Sequence, residues 1–463
     1  MTRTATVRRA HTSGVFVALF AASTLATVPA GPVLSAVVSY DGQLASTPGV
    51  RVIASLKALH ISVVRGDAFA LQRLARVRGV RGIAPDDAVQ LASNDENDGS
   101  AVLASEGLGG AAGSAGAGTG VRVAVVDTGV SDTAALDRAS GRLVDAVDTS
   151  RVGDGGAAET GGTYTDGYGH GTFMADVIAG GVVAGTGGKA LGVAPGATIV
   201  VVRVARPDGT TSLSKVLGGL DWIAAHPSMV DVANLSLSHA RPNKTYGSDP
   251  LTDAVEKVRA AGVTVVVSSG NTKNIVSDPG FDPKVLTVGA ADLQKGRIAS
   301  FSGSDVVAGV AKPDVVASGV DVLGLLPAGS VLATAKTTTH LAHGLFRGSG
   351  TSQAAAVTSG VAALFLAAHH GATPSQVKAS IRCAAGQLKG KRDGEGLVRT
   401  TTTVCAGPDG KALDGSGDAT GEDSFDASSW GASSWGASSW AASSWGASSW
   451  GASSWAADDW GDS

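Results

Sequence analysis

Three short motifs rich in small residues each carry one side chain suited to proton transfer or nucleophilic attack. Asp127 ends the apolar run V-R-V-A-V-V-D and precedes Thr-Gly, His170 lies in G-Y-G-H-G-T, and Ser352 lies in G-S-G-T-S-Q-A-A-A. A carboxylate beside an imidazole holds one tautomer, so that the imidazole can act as a general base toward a neighbouring hydroxyl. The three residue types together could activate a serine nucleophile.

Each motif taken alone also has a structural interpretation. An aspartate at the end of a strand is commonly structural, and phosphorylated or metal-binding aspartates use the same position. A histidine or serine before a helix can simply cap it. The helix that we predict from Gln353 to Ala368 would nevertheless direct its positive end and its free N–H groups at Ser352, where they would stabilise an oxyanion.

The elements that must position these residues follow from hydrophobic periodicity. Continuous apolar runs predict buried strands, namely V-R-V-A-V-V-D, A-T-I-V-V-V-R-V, V-D-V-A-N-L-S-L-S, V-T-V-V-V-S-S-G-N and K-V-L-T-V-G-A. Helical spacing marks L-S-K-V-L-G-G-L-D-W-I-A-A-H and L-T-D-A-V-E-K-V-R-A-A-G between them. The order predicts an α/β fold, a doubly wound parallel sheet with helices on both faces and with its sites at the carboxyl ends of the strands.

The motifs D-T-G, H-G-T and G-T-S, in the order Asp, His, Ser, together resemble the subtilisin-like serine proteases over roughly residues 121–370. The resemblance implies a serine endopeptidase in which Asp127, His170 and Ser352 form the triad and protein or peptide substrates are hydrolysed. It implies no required cofactor. Structural calcium is frequent in relatives, but no segment identifies calcium ligands here.

Two further segments resemble family features around the substrate. Ser269-Gly270-Asn271 is similar to the segment whose asparagine donates to the oxyanion, and Ser236-Leu237-Ser238 is similar to the edge that pairs with an extended substrate. Ser238 replaces the family's glycine, which leaves the substrate approach open. Gln353 stands where methionine is common and Ala356 where proline is common, and neither residue donates a catalytic group.

The chain is expected to have four parts. Residues 1–30 are predicted to be a signal peptide, because arginines precede the apolar run from Gly14 to Val28; a membrane anchor is the alternative. Residues 31–112 are predicted to hold a small α+β unit from Val50 to Leu91, which looks like the inhibitory propeptide of this family, and a flexible Gly/Ala/Ser linker. Residues 113–405 form the peptidase domain, and 406–463 form a low-complexity tail.

The predicted export bears on the state of the cysteines, and the composition bears on nucleic-acid and metal binding. Because secretion favours oxidised thiols, Cys383 and Cys405 are expected to form a disulfide, with two free buried thiols as the alternative. The formal net charge of −4 argues against a nucleic-acid partner. The paired histidines at 340 and 343 and at 369 and 370 lack further ligands, so we predict no metal site.

The tail repeats A-S-S-W-G with small variations and holds seven of the eight tryptophans. A period of five matches neither a helix nor a strand face, so no packed fold is expected there. The tail is either a disordered spacer or a contact to cell wall, polysaccharide or protein through its aromatic side chains. The alternative function for the whole chain is therefore a surface-attachment or binding protein that has a weakly active or inactive protease fold.

Overall fold

The computed structural model describes residues 32–91, 100–239, 249–307, 309–335, 340–388 and 392–405. The predicted signal peptide and the tryptophan-rich tail lie outside these ranges. The described chain contains a small N-terminal α+β unit and a larger α/β domain.

The N-terminal unit is a four-stranded antiparallel sheet with one helix on its outer face. Its elements are β1 Leu34–Tyr40, β2 Val50–Leu56, β3 Ile61–Gly66, α1 Ala68–Ala75 and β4 Val80–Pro85, in the sheet order β2-β3-β1-β4. Ala36 and Val38 face the core under α1, whereas Val37 between them packs against the larger domain. The sequence prediction began at Val50 and missed β1, which lies between β3 and β4, because this strand follows closely on the apolar N-terminal segment.

The larger domain follows the N-terminal unit, and its first strand links the two parts. Its elements, in chain order, are β5 Ala88–Leu91, β6 Arg122–Asp127, β7 Leu143–Asp148, α2 His170–Ala179, β8 Thr198–Arg203, β9 Thr211–Ser212, α3 Leu213–Ala225, β10 Val232–Leu235, β11 Leu237–His239, α4 Pro250–Ala260, β12 Thr264–Ser268, β13 Leu286–Asp292, β14 Arg297–Ile298, β15 Asp305–Val307, β16 Val310–Lys312, β17 Val315–Ser318, β18 Val322–Leu325, α5 Val331–Thr334, β19 Leu345–Gly348, α6 Thr351–Ala368 and α7 Pro374–Ala384.

The main sheet runs in the order β14-β13-β12-β10-β6-β8-β7, and β17 also pairs with β13. All of its pairings are parallel except that of β14. Along β6, Val123 and Val125 face the core that contains α2 and α6, while Ala124 and Val126 face the core that contains α3 and α4. Both sides of the sheet are therefore covered, which confirms the predicted α/β class.

Helix α6 occupies the centre of one of these cores. By length and hydropathy it could cross a membrane, but 83% of its apolar window is buried inside the domain. Helices of this composition are stabilised by packing on all sides. The helix that begins beside Ser352 is thus a core helix.

Two segments differ from the sequence predictions. The run V-D-V-A-N-L-S-L-S is two strands: β10 belongs to the main sheet, and β11 belongs to a separate three-stranded sheet of order β11-β5-β9. The glycine-rich stretch expected to be a linker is packed on the larger domain from residue 100 onward, with Ala104 and Leu108 buried in its core. Glycines at positive φ, such as Gly107 and Gly118, allow the successive tight turns that this packing requires.

Candidate active site

Asp127 and His170 form a buried pair at the carboxyl end of the main sheet. Asp127 is the last residue of β6 and His170 the first of α2, and the two carboxylate oxygens lie 2.8 and 2.9 Å from His170 Nδ1. Because a carboxylate only accepts hydrogen bonds, Nδ1 carries the proton and Nε2 is left as the acceptor. Nε2 is buried and has no hydrogen-bond partner among the described residues, so it is free to take a proton from a nucleophile.

The small residues of the two motifs explain how this pair fits together. Thr128 Oγ1 accepts the Gly171 N–H at 2.9 Å, so the two motifs are joined directly. A Cβ on Gly171 would lie 2.2 Å from the Gly129 carbonyl oxygen and 3.1 Å from Asp127 Cβ. Any larger residue at position 171 would therefore push the imidazole away from its carboxylate.

Asp166 is a supporting residue that the sequence analysis missed. Its carboxylate accepts the N–H groups of Tyr168, Gly169 and Thr172 and the hydroxyl of Thr172, at 2.7 to 3.0 Å. Complete burial raises the pKa of this carboxyl, although the hydrogen bonds oppose the shift. The carboxylate fixes the start of α2, and the signal in the sequence is an acidic residue shortly before a helix that has no side-chain cap of its own.

Ser352 lies inside the first turn of α6, which begins at Thr351 rather than at the predicted Gln353. Its Oγ donates to the Ser236 carbonyl at 3.1 Å, and Ser236 Oγ donates back to the Ser352 carbonyl at 3.0 Å. Within the described part of the chain, no hydrogen bond joins Ser352 to His170. The hydroxyl is therefore turned toward the substrate-pairing edge in this structure.

Two polar residues inside the core support Ser236 and were also missed. Asn234 Nδ2 donates to Ser236 Oγ at 2.9 Å, and Ser359 Oγ donates to Asn234 Oδ1 at 2.9 Å. The three residues are fully buried. An asparagine within an apolar strand pattern was the available signal, because a buried amide needs specific partners.

Asn271 lies beside the start of α6 with its amide oriented by hydrogen bonds. Its Oδ1 accepts the N–H and the hydroxyl of Thr351, at 3.0 and 2.8 Å. The amide nitrogen Nδ2 is therefore directed away from Thr351. It is buried and has no hydrogen-bond partner among the described residues. The adjacent Ser269 and Gly270 carbonyls are engaged by Ser277 and Gly303, so these two predicted binding residues shape the turn.

The predicted substrate-pairing edge is already paired in the structure. Strand β11 lies antiparallel to β5, with Leu237 opposite Leu91, Ser238 opposite Gln90 and His239 opposite Val89. Strand β5 also pairs with β9 on its other side. Ser238, which replaces the family's glycine, does not prevent this pairing.

The two cysteines complete the set of predicted site residues. Cys383 and Cys405 form a disulfide that joins the end of α7 to the last described segment. Across the described ranges, no three His, Cys, Asp or Glu side chains are grouped so that they could hold a metal ion. Asp127, His170, Ser352 and Asn271 gather at one end of the sheet, whereas the two cysteines lie apart from it.

Comparison with known proteins identifies the family to which the larger domain is similar. The subtilase family model matches residues 118–411. The chain is 31% identical over 310 residues to the serine protease AprX of Bacillus subtilis, covering 62% of this chain and 66% of AprX. It is 32% identical over 277 residues to subtilisin DY of Bacillus licheniformis, covering 58% of this chain and 85% of that protein.

A solved structure shares the fold. Fervidolysin of Fervidobacterium pennivorans, a keratinolytic enzyme related to subtilisin, superposes with a TM-score of 0.61 at 24% identity, over 81% of this chain and 61% of fervidolysin. The chain thus spans just under two thirds of AprX and of fervidolysin. The family match covers the sheet, the buried Asp–His pair and the serine helix, and the chain belongs to the subtilase family of serine endopeptidases.

Proposed function

We propose that this chain is a secreted serine endopeptidase made as an inhibited precursor, with Asp127, His170 and Ser352 as its triad. The observation that carries the proposal is the buried Asp127–His170 pair, whose Nε2 has no partner among the described residues. An inactive scaffold has no need to keep a buried ring nitrogen unsatisfied, since this costs about 1–3 kcal/mol.

The first half of the reaction forms an acyl-enzyme. Ser352 Oγ attacks the peptide carbonyl carbon while its proton passes to His170 Nε2, and Asp127 stabilises the resulting imidazolium. Asn271 Nδ2 and the Ser352 N–H donate to the oxyanion. When the carbon–nitrogen bond breaks, His170 returns the proton to the leaving amine nitrogen.

The second half releases the acid. A water molecule gives a proton to His170 Nε2 and attacks the ester carbonyl, and the same donors bind the second oxyanion. Collapse of this intermediate breaks the bond to Ser352 Oγ, which regains its proton from His170. The enzyme returns to its starting protonation state.

The inhibited precursor is proposed from the position of β5. This strand extends from the N-terminal unit into the edge between β9 and β11, where the resemblance predicts an extended substrate. Its carboxyl end points toward Ser236 and hence toward the nucleophile. A substrate could not pair with β11 until β5 leaves.

Contacts outside the cleft support docking of the N-terminal unit on α3 and α4. Asp221 Oδ1 on α3 accepts the Leu59 N–H at 3.0 Å, and Arg81 Nη2 lies 3.0 Å from Asp253 Oδ2 on α4. Ile61 and Val63 of β3 share a core cluster with the same helices. This combination of apolar burial and specific polar contacts fits a stable inhibitory interface.

One assay tests the proposed activity. The protein purified from culture medium is incubated with casein, with and without a serine-directed covalent inhibitor. We expect hydrolysis that the inhibitor abolishes, with the adduct mapped by mass spectrometry to Ser352. Hydrolysis that is insensitive to the inhibitor, or an adduct on another serine, would refute the assignment.

The tail remains a separate prediction. A contact to cell wall or polysaccharide is proposed from its seven tryptophans alone. A protein ending at residue 405 should keep its peptidase activity and lose retention on wall material. Equal retention of both forms would leave only the spacer interpretation.

A further inference from the structure

His239, the last residue of β11, is enclosed by two carboxylates that come from different parts of the chain. Its Nε2 lies 2.5 Å from Asp87 Oδ1, and its Nδ1 lies 3.3 Å from Asp278 Oδ2. The His239 and Asp278 backbones also exchange hydrogen bonds in both directions, at 3.0 and 3.2 Å. His239 and Asp278 belong to the peptidase domain, whereas Asp87 belongs to the segment that enters the cleft.

The strand register explains how Asp87 reaches this histidine. His239 is opposite Val89, and Asp87, two residues earlier, lies on the same face of the strand. Ala88 between them is exposed and lies on the other face. The Asp87 side chain is 50% exposed while that of His239 is 4% exposed, so the contact is at the outer end of the cleft.

The charge state of His239 favours an anionic partner. Burial alone would lower the pKa of His239, but the hydrogen bonds and charges of Asp278 and Asp87 outweigh burial and raise this pKa to about 10. The imidazolium donates from both nitrogens, one to each carboxylate. When the segment that carries Asp87 leaves the cleft, Asp278 still orients the ring and Nε2–H is directed at the vacated position.

We propose that His239, oriented by Asp278, determines substrate specificity by binding a carboxylate side chain of the substrate at the position that Asp87 occupies. The proposal rests on the proposed peptidase function and on β5 lying where an extended substrate lies. An acidic side chain four residues before the substrate residue that faces Leu237 would make the same contact. A basic side chain there would face the imidazolium and be disfavoured.

The test measures how three peptides compete with casein for the secreted enzyme, which gives an inhibition constant whether or not the peptides are cleaved. The first peptide has the chain's own sequence from residue 85 to residue 99. The second carries Asp87→Lys. The third carries Asp87→Ala together with Ala88→Asp, which keeps the net charge and moves the carboxylate to the exposed face.

We expect the inhibition constant to rise about tenfold for the lysine peptide and about threefold for the exchanged peptide, as for a partly exposed charge-assisted contact. In a His239→Gln enzyme the three constants should agree within about twofold. A His226→Gln enzyme is the matched control, because this exposed histidine follows the far end of α3, and it should keep the wild-type ranking.

The comparison on the wild-type enzyme decides the proposal even if His239→Gln fails to fold. Equal constants for the native and exchanged peptides would overturn it and leave Asp87 as a docking contact of the N-terminal unit only. A ranking that persists in a folded His239→Gln enzyme would also overturn it. Absence of casein hydrolysis is a different result, because the proposed peptidase function would then fail and this inference with it.

Discussion

The two ends of the proposed substrate cleft differ in whether their buried polar groups have hydrogen-bond partners. At the proposed reacting end, formed by Asp127, His170, Ser352 and Asn271, the buried atoms His170 Nε2 and Asn271 Nδ2 lack partners among the described residues. At the binding end, formed by β11 and β9, the strands pair with β5, and both nitrogens of His239 are hydrogen-bonded. Catalysis needs donors and acceptors that are satisfied only in the transition state, whereas binding is completed by any suitable strand.

The largest expected effect is removal of the nucleophile or the base at the reacting end. Ser352→Ala or His170→Ala should lower kcat for casein by about 10⁴- to 10⁶-fold, because the proton transfer and the covalent intermediate are lost together. Thermal melting should show that both variants are folded. His226→Ala, at an exposed histidine, is the control, and a purified Ser352→Ala protein within tenfold of wild-type kcat would contradict the triad.

Removal of the oxyanion donor should have the next largest effect. Asn271→Ala should lower kcat by about 10²- to 10³-fold with a small change in KM, since Nδ2 has its partner only when charge develops. Asn271→Asp is the sharper variant, because it keeps an acceptor for Thr351 and replaces only the donor. A loss for Asn271→Ala but not for Asn271→Asp would show that the side chain acts by positioning Thr351.

A smaller effect is expected at the surface that holds the N-terminal unit. A folded segment of residues 32–91, added in trans, should inhibit casein hydrolysis at micromolar concentration. Asp221→Ala in the enzyme should raise its inhibition constant about tenfold, because the Leu59 N–H loses a part-buried carboxylate acceptor. Glu106→Ala removes the same charge at an exposed turn and should leave the constant unchanged; no inhibition by the folded segment would refute the precursor model.

The smallest effect concerns the residue after the nucleophile. Gln353 is buried, and its Nε2 lies 2.8 Å from where a Cβ on Gly348 would be, so a bulkier sulfoxide would be crowded there. Gln353→Met should lose activity to peroxide a few-fold faster than wild type, with Gln387→Met at an exposed site as control. Equal loss in all three proteins, with Met174 unoxidised, would mean that position 353 does not control peroxide sensitivity.

The sequence predicted the main sheet, and it placed Asp127, His170, Ser352 and Asn271 where the structure brings them to one end of that sheet, because these signals are local. The apolar runs before Asp127 and Asn271 are strands, and the small-residue run after Ser352 is a helix. Predictions that depend on partners distant in the chain were poorer. The strand containing Ser236 was predicted as one element, but its last part, β11, leaves the main sheet to pair with β5. No local pattern encodes that choice.

The supporting residues show the same limit. In the sequence, Asp166 resembles an ordinary loop aspartate, and Asn234 resembles an interruption of an apolar strand pattern. Their importance appears only when their hydrogen-bond partners are known. The stretch from residue 100 to residue 120 has the composition of a flexible linker. Its glycines instead form tight turns that bury Ala104 and Leu108, because the larger domain offers an apolar surface beside them.

The sequence by itself determined the α/β class, the order of the D-T-G, H-G-T and G-T-S motifs, the pairing of the only two cysteines and the presence of an N-terminal α+β unit, because each depends on periodicity, residue type or count. Only the tertiary structure decided that Ser352 turns toward Ser236, that β5 lies between β9 and β11, and that His239 contacts Asp87 and Asp278. The physical reason is that hydrogen bonds and burial between segments far apart in the chain depend on how those segments fold together.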